Sequence, residues 1–157
     1  MPGQASVIIN SKEWMVAVAS TPFEITTGLS GLPGMAAETG MLFDLGVDQG
    51  YVRIDMSRMQ FALDIIFISS YAGVIGVLRN VAPGEEAAFE AVTTPGARYF
   101  LEVKAGEVKG IEFGDDVVIQ GDIQPSFWQY VGAALLLLPV VIPMFNSMVK
   151  ELERKQY

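Results

Sequence analysis

The sequence predicts a mostly β fold: a compact antiparallel sheet or barrel-like domain with one or two short helices, followed by one C-terminal transmembrane α-helix. Two observations predict it. Short β-prone runs separated by Gly- and Pro-bearing turns fill the first part of the chain. No charged residue occurs in the 27 positions 123–149. The chain therefore divides into an acidic β-rich head at 1–122, a transmembrane helix at 123–149 and a short charged tail at 150–157.

The predicted strands follow from hydrophobic periodicity. Trp14, Val16 and Val18 alternate with Met15, Ala17 and Ala19 in a β-prone run, which predicts a strand. The continuous apolar run at 65–68, entered by Asp64, is typical of a strand covered on both faces. Further strands are expected at 73–78, after a turn at 69–72, at 98–103 and at 116–119. Two short helices are expected, one at 21–27 after Pro22 and one at 85–92.

The hydrophobic stretch has the length and flanks of a membrane span. A bilayer core of about 30 Å needs about 20 helical residues, and positions 127–149 supply 23. Aromatic anchors at one end, prolines that would kink the helix and basic anchors at the other end are, in order, Trp128, Tyr130, Pro139, Pro143, Lys150, Arg154 and Lys155. The sequence thus predicts a single-pass membrane protein with a C-terminal anchor in the lipid bilayer.

The side of the membrane on which the head lies stays undecided. The positive-inside rule places the basic tail in the cytoplasm and the head outside. The N-terminus, however, shows neither a basic region nor an apolar core of a signal peptide, which favours a tail anchor with a cytoplasmic head.

Composition excludes several classes of function. The 157 residues include no Cys and no His, so zinc-thiolate sites, iron–sulfur clusters and His-based acid–base catalysis are excluded, and neither haem nor any other cofactor is expected. The net charge of −8 argues against nucleic acid as a partner. The head carries 16 acidic and 7 basic residues, a net charge of −9.

The order of several motifs resembles the domain of unknown function 192 family (DUF 192). The matching segments are TPFE at 21–24, GLSGLP at 28–33, GMLF at 40–43, LDIIFI at 63–68, NVAP at 80–83 and ARYFLEV at 97–103, and the closing glycines and acids reach 117. The resemblance covers about residues 14–119. It implies a fold and a habit of membrane or envelope association, and the family has no assigned activity.

The chain departs from the family pattern at two places. Where the family carries an aromatic, Met, Lys, Asn, Thr block, residues 54–59 keep only the Met. The family's usual Arg before Gly-Leu is Thr27 here. A ligand site of the family in that block would therefore be lost or altered.

Asp64 is a candidate site residue. An acid at the start of an apolar strand is expected to be buried and to need a partner, which Arg58, Arg79 or Arg98 could provide. A structural ion pair is favoured over a catalytic acid, because no positioned base or nucleophile accompanies it. The alternative is a small-ligand site or hydrolase site formed by Asp64, Arg58 and Arg98.

Three acids near the end of the head could offer oxygens to a cation: Glu112, Asp115 and Asp116. The twelve-residue spacing of a calcium hand is absent, so a turn in which Asp caps local amides is the favoured interpretation.

The sequence favours a membrane-anchored, non-enzymatic structural or interaction protein, an accessory subunit of a larger membrane complex or particle. Its protein partners would bind through the helix or a sheet edge. The alternative is the ligand-binding module or hydrolase built on Asp64.

Overall fold

The computed structural model describes residues 3–92 and 94–121. In chain order the elements are β1 (Gly3–Ile9), β2 (Lys12–Ala19), α1 (Pro22–Thr27), β3 (Thr39–Gln49), β4 (Tyr51–Asp55), β5 (Leu63–Ser69), β6 (Val74–Val81), β7 (Glu86–Glu90), β8 (Ala97–Lys104) and β9 (Val117–Gly121). The predicted mostly β class is confirmed.

Seven strands form one sheet in the order β6-β5-β8-β3-β2-β1-β9, and β4 pairs with β7 in a second, two-stranded sheet. The large sheet is mixed, since β2 and β3 run parallel while its other neighbouring pairs run antiparallel. The predicted antiparallel sheet is therefore wrong at this pair. Parallel strands need a crossover, and the segment between β2 and β3, which contains α1, provides it.

The two edge strands of the large sheet meet at one end. Gly73, just before β6, bridges Asp116, just before β9. The backbone N–H of Val74 donates to Asp115 O at 2.9 Å, and the N–H of Val117 donates to Ala72 O at 2.8 Å. The sheet therefore curls towards closure, which agrees with the expected barrel-like form.

Each face of the large sheet covers its own core. The inner core contains Trp14, Val16 and Val18 from β2, confirming the alternation expected there. The outer core lies beneath β4, β7 and α1. It contains three stacked or tilted ring pairs: Phe43–Phe100 at 4.3 Å, Phe67–Phe89 at 4.1 Å and Phe67–Phe100 at 6.2 Å between centroids. Because both faces are covered, β5 is buried at every residue, as its apolar run predicts.

Helix α1 forms where the sequence predicts it. Thr21 accepts a hydrogen bond from the Glu24 N–H, and the Glu24 carboxylate accepts from the Thr21 N–H, so the two residues form a capping box. Pro22 occupies the first turn, where its missing N–H costs nothing.

The second predicted helix, at 85–92, is wrong. Its Glu and Ala residues favour a helix, yet residues 86–90 form β7. Phe89 stacks on Phe67, and a Cβ atom on Gly76 would lie 2.2 Å from the Phe89 ring, so Gly76 makes room for that ring. Burial of Phe89 and pairing with β4 therefore override the local helix propensity.

Asp64 is buried, and its partners differ from those expected. One carboxylate oxygen accepts the Asn80 N–H at 2.8 Å, and the other accepts those of Gly106 and Val108 at 2.8 and 3.3 Å. The expectation that an arginine pairs with Asp64 is wrong. Three backbone N–H groups donate to its carboxylate instead. The carboxylate thereby ties β5 to the end of β6 and to the loop after β8.

We expect Asp64→Asn to lower the free energy of unfolding by about 2–4 kcal/mol, because an amide nitrogen would face backbone N–H groups that then lose their acceptor. Urea denaturation measures the loss. The matched control is Asp116→Asn, which removes the same charge from an exposed side chain. Equal stability of the two variants would contradict a structural role for Asp64.

Candidate functional site

The cleft of interest, called here the Glu102 cleft, lies on the outer face of the large sheet. Its volume is about 290 Å³. α1 and the following residues 28–30 form one wall, β4 and the segment after it form the opposite wall, and β3 and β8 form the floor. The arrangement leaves a gap between two short elements laid on the sheet.

Hydrogen bonds join the two walls at one end of the cleft. The Arg58 guanidinium donates to Thr26 O at 3.2 Å, and the Gly31 N–H donates to Arg58 O at 3.2 Å. The Gln60 side-chain amide donates to Gly31 O at 3.3 Å. These contacts hold α1 and the 56–60 segment together, so the cleft has fixed sides.

Glu102 lies at the floor of this cleft and is 6% exposed. Its cross-strand neighbours are Met41 on β3 and Ile65 on β5, both apolar. Burial alone raises the pKa of Glu102 to about 8, since no hydrogen bond or charge offsets it. Among the described residues this carboxyl group forms no hydrogen bond or ion pair, although the side chain is only 6% exposed.

The floor and walls around Glu102 are mostly apolar. Phe43 and Phe100 lie parallel, with ring planes 8° apart, and both line the cleft. Met56 and Met59 come from the opposite wall, where Met56 is 1% exposed. A buried ionisable group within a cleft lined by aromatic and apolar side chains is the usual composition of a small-molecule site.

The ionic groups at the rim already have partners. Arg53 forms an ion pair with Glu86. The hydroxyl and backbone N–H of Ser57, with smaller effects from the charges of Arg53 and Arg58, lower the pKa of Asp55. The two arginines of the rim are thus balanced by nearby carboxylates.

The residues of the predicted Asp64 site do not come together. Arg58 lies at the rim of the Glu102 cleft, whereas Asp64 accepts its three amides next to a different depression, lined also by Arg79 and Lys109. Arg98 is buried against Asp44, with Nε–Oδ1 and Nη2–Oδ2 distances of 2.7 and 3.1 Å. Although burial acts to lower it, the pKa of Arg98 is raised by this bond and by the charge of Asp44. Asp64 and Arg98 thus both find their partners within the protein.

The candidate cation ligands form a turn. Asp115 accepts from the Asn10 side-chain amide at 2.6 Å and from the Glu112 N–H at 2.8 Å. Asp116 begins the bridge to Gly73. Within residues 3–92 and 94–121, no group of three acidic residues is arranged to hold a metal ion. Capping of local amides, the favoured interpretation of these acids, is what the structure shows for Asp115.

The predicted membrane anchor lies outside the described residues, as do all its named members, Trp128, Tyr130, Pro139, Pro143, Lys150, Arg154 and Lys155. In the described part of the chain, no helix is long and apolar enough to cross a bilayer.

Sequence reasoning missed Glu102, although it predicted the strand at 98–103. The available signal was weak: Glu102 stands between Leu101 and Val103 in an apolar strand, but strand alternation places Arg98 and Lys104 on the same face as Glu102. A carboxylate in a buried strand is informative because charged residues are rarely buried without a partner. What the sequence could not show is that no donor lies nearby.

We expect the free energy of unfolding to fall as the pH rises from about 5 to about 8. The unfolded chain releases the Glu102 proton near pH 4.5, whereas the folded chain retains it up to about pH 8. Over that range the unfolded state binds fewer protons, so the free energy of unfolding falls as the pH rises. Glu102→Gln cannot ionise and should gain about 3–5 kcal/mol relative to the natural chain between these pH values. Chemical denaturation at several pH values measures this gain.

The control is Glu13→Gln, which changes an exposed carboxylate outside the cleft. Its stability should follow the pH dependence of the natural chain. A Glu102→Gln variant with that same dependence would show that Glu102 titrates normally.

Two solved structures are similar to this chain in fold and in sequence. A protein from Sinorhizobium meliloti 1021, described as a candidate transcription regulator, is 29% identical, with a TM-score of 0.64 over 77% of this chain and 94% of its own. A protein of unknown function from Novosphingobium aromaticivorans DSM 12444 is 25% identical, with a TM-score of 0.63 over 73% of this chain and 83% of its own.

The chain matches no curated protein. The family model DUF192, described as an uncharacterized ACR, matches residues 5–119, most of the chain and the whole succession from β1 into β9. That match includes the motifs at 21–24, 40–43, 63–68 and 97–103 that carry the resemblance. The chain belongs to the DUF192 family.

Proposed function

We propose that the β-rich domain is a small-ligand-binding module whose site is the Glu102 cleft. The observation that carries the proposal is the unpartnered carboxyl group at the floor of a 290 Å³ cleft. Such a group lowers stability at neutral pH, and a protein gains nothing from it structurally, since an apolar residue would fill the position at no electrostatic cost. A ligand that supplies the missing partner accounts for it.

The proposal moves the ligand site away from Asp64 and Arg98 and keeps Arg58. Asp64 has three donors and Arg98 has a carboxylate partner, so neither retains a free group for a ligand. Arg58 lines the rim of the cleft, where it fixes the wall through Thr26. Hydroxyl groups of Thr26, Thr27 and Ser30 line the wall, but no histidine or cysteine occurs in the chain to activate a hydroxyl or act as a nucleophile, which favours binding over hydrolysis.

A screen of small fragments against the full chain, read by ligand-observed NMR, tests the site. We expect fragments that bind the natural chain to lose at least about tenfold in affinity with Thr27→Trp, because an indole at this exposed lining position would fill the cleft mouth. Gln120→Trp on the exposed part of β9 is the control and should bind normally. Fragments that bind both variants equally would place binding elsewhere and contradict the proposal.

The membrane-anchored interaction protein is kept as a second proposal for the whole chain. It is supported by the uncharged stretch at 123–149 and by a sheet edge, since β4 pairs only with β7 in the described part of the chain. An anchored domain of this kind would bind protein partners through that edge or through the helix. The two proposals are compatible, because a ligand-binding head can be held at a membrane.

Membrane pelleting of the full chain tests the anchor. We expect the natural chain to remain with membranes after alkaline carbonate washing, and the double variant Leu136→Arg, Val140→Arg to move to the supernatant. Each arginine costs about 2.5–3.5 kcal/mol at the centre of a spanning helix. The matched control is Glu151→Arg with Glu153→Arg in the tail, which should pellet normally. Equal partition of all three chains would contradict a membrane span.

A further inference from the structure

Groups with acceptor character line the Glu102 cleft. Phe43 and Phe100, whose ring faces carry partial negative charge, stack on each other at 4.3 Å between centroids, and the Met56 and Met59 thioethers are weak acceptors. The Glu102 carboxyl group itself has no N–H donor around it, unlike Asp64, which has three. The chemical character of this floor suits a group that brings positive charge.

Among the described charged groups around the cleft, the Glu102 carboxyl group has no opposite charge beside it. The groups that face the cleft are Arg53 and Asp55 on β4 and Arg58 on the segment after it, while Lys104 follows on β8 and is exposed. Arg53 is paired with Glu86, and both arginines lie close enough to Asp55 to lower its pKa. The neighbours contributed by β3 and β5, Met41 and Ile65, are uncharged. Charge complementarity therefore calls for a cation at the floor.

We propose that the cleft binds a small organic amine, with the ammonium group paired to the Glu102 carboxylate and the apolar or aromatic body lying against Phe43 and Phe100. This assignment rests on the proposed ligand-binding function and adds the class of ligand. The volume of about 290 Å³ suits a single aromatic ring with a short aminoalkyl chain. An ammonium next to a carboxylate in an apolar cleft makes a charge-assisted hydrogen bond, stronger than one to a neutral group.

Amine binding at neutral pH must be coupled to proton release. The free Glu102 carboxyl group, with its pKa near 8, holds a proton at pH 7. When the ammonium arrives, this proton passes to the buffer and the carboxylate pairs with the cation, so one proton leaves for each amine bound. The affinity for the amine therefore falls as the pH is lowered from about 8 to about 6, by up to about tenfold per pH unit.

Three probes of similar shape and different charge test the ligand class: phenethylamine as the cation, 2-phenylethanol as the neutral analogue and phenylacetate as the anion. Isothermal titration of the full chain in buffers of different ionisation enthalpy measures affinity and the number of protons released. We expect phenethylamine to bind at least about tenfold more tightly than the other probes at pH 8, with close to one proton released at pH 7.

Glu102→Gln separates the carboxylate from the rest of the cleft. This variant should lose the preference for the amine and the proton release, and an unchanged far-ultraviolet circular dichroism spectrum shows that it is folded. Glu13→Gln, the exposed control, should retain both properties.

The outcomes separate the ligand class from the binding role. Tighter binding of the alcohol or of phenylacetate, lost in Thr27→Trp, would overturn the amine assignment and leave the cleft as a binding site. Amine binding that is unchanged by Glu102→Gln would also overturn it. Failure of all three probes at millimolar concentration, together with a fragment screen that yields no ligand sensitive to Thr27→Trp, would overturn the binding role as well.

Discussion

Coverage of the central strands on both faces is the constraint from which the other features follow. β5 and β8 lie side by side in the large sheet, and both are almost wholly buried. One face contributes to the core inside the curled sheet, while the other is covered by α1 and the β4–β7 sheet. Any polar side chain on these strands must find its partner inside the protein or have none.

Two buried carboxyl groups show these two outcomes, since one has partners inside the protein and the other has none. Asp64 on β5 is surrounded by the N–H groups of Asn80, Gly106 and Val108, so its charge is satisfied by backbone dipoles. Glu102 on β8 faces Met41 and Ile65 and has none, so its pKa rises to about 8. The first carboxylate stabilises the fold, whereas the second costs stability, which is the pattern that distinguishes structural from functional polar groups.

Arg98 and Asp44 fit the structural half of this pattern. Their bidentate pair is sealed within the protein, and the Gly46 N–H donates to Asp44 as well. Breaking one member of such a pair leaves an uncompensated buried charge, so the pair fixes the conformation of β3 against β8. The proposed ligand site is therefore built on Glu102, the group without a partner, and not on the buried ion pair of Arg98 and Asp44.

Local sequence by itself determined the elements whose signals are local. The alternation around Trp14, the apolar run of β5, the short helix after Pro22 and the family motifs all depend on neighbouring residues, and each was predicted correctly. Tertiary structure alone decided the parallel β2–β3 pair, the strand at 86–90 and the environments of Asp64 and Glu102. These depend on partners distant in the chain, 16 to 44 residues away for Asp64. Hydrogen bonding and desolvation act between atoms that only folding brings together, so identical carboxyl chemistry gives a structural anchor on one strand and an unpartnered acid on the next.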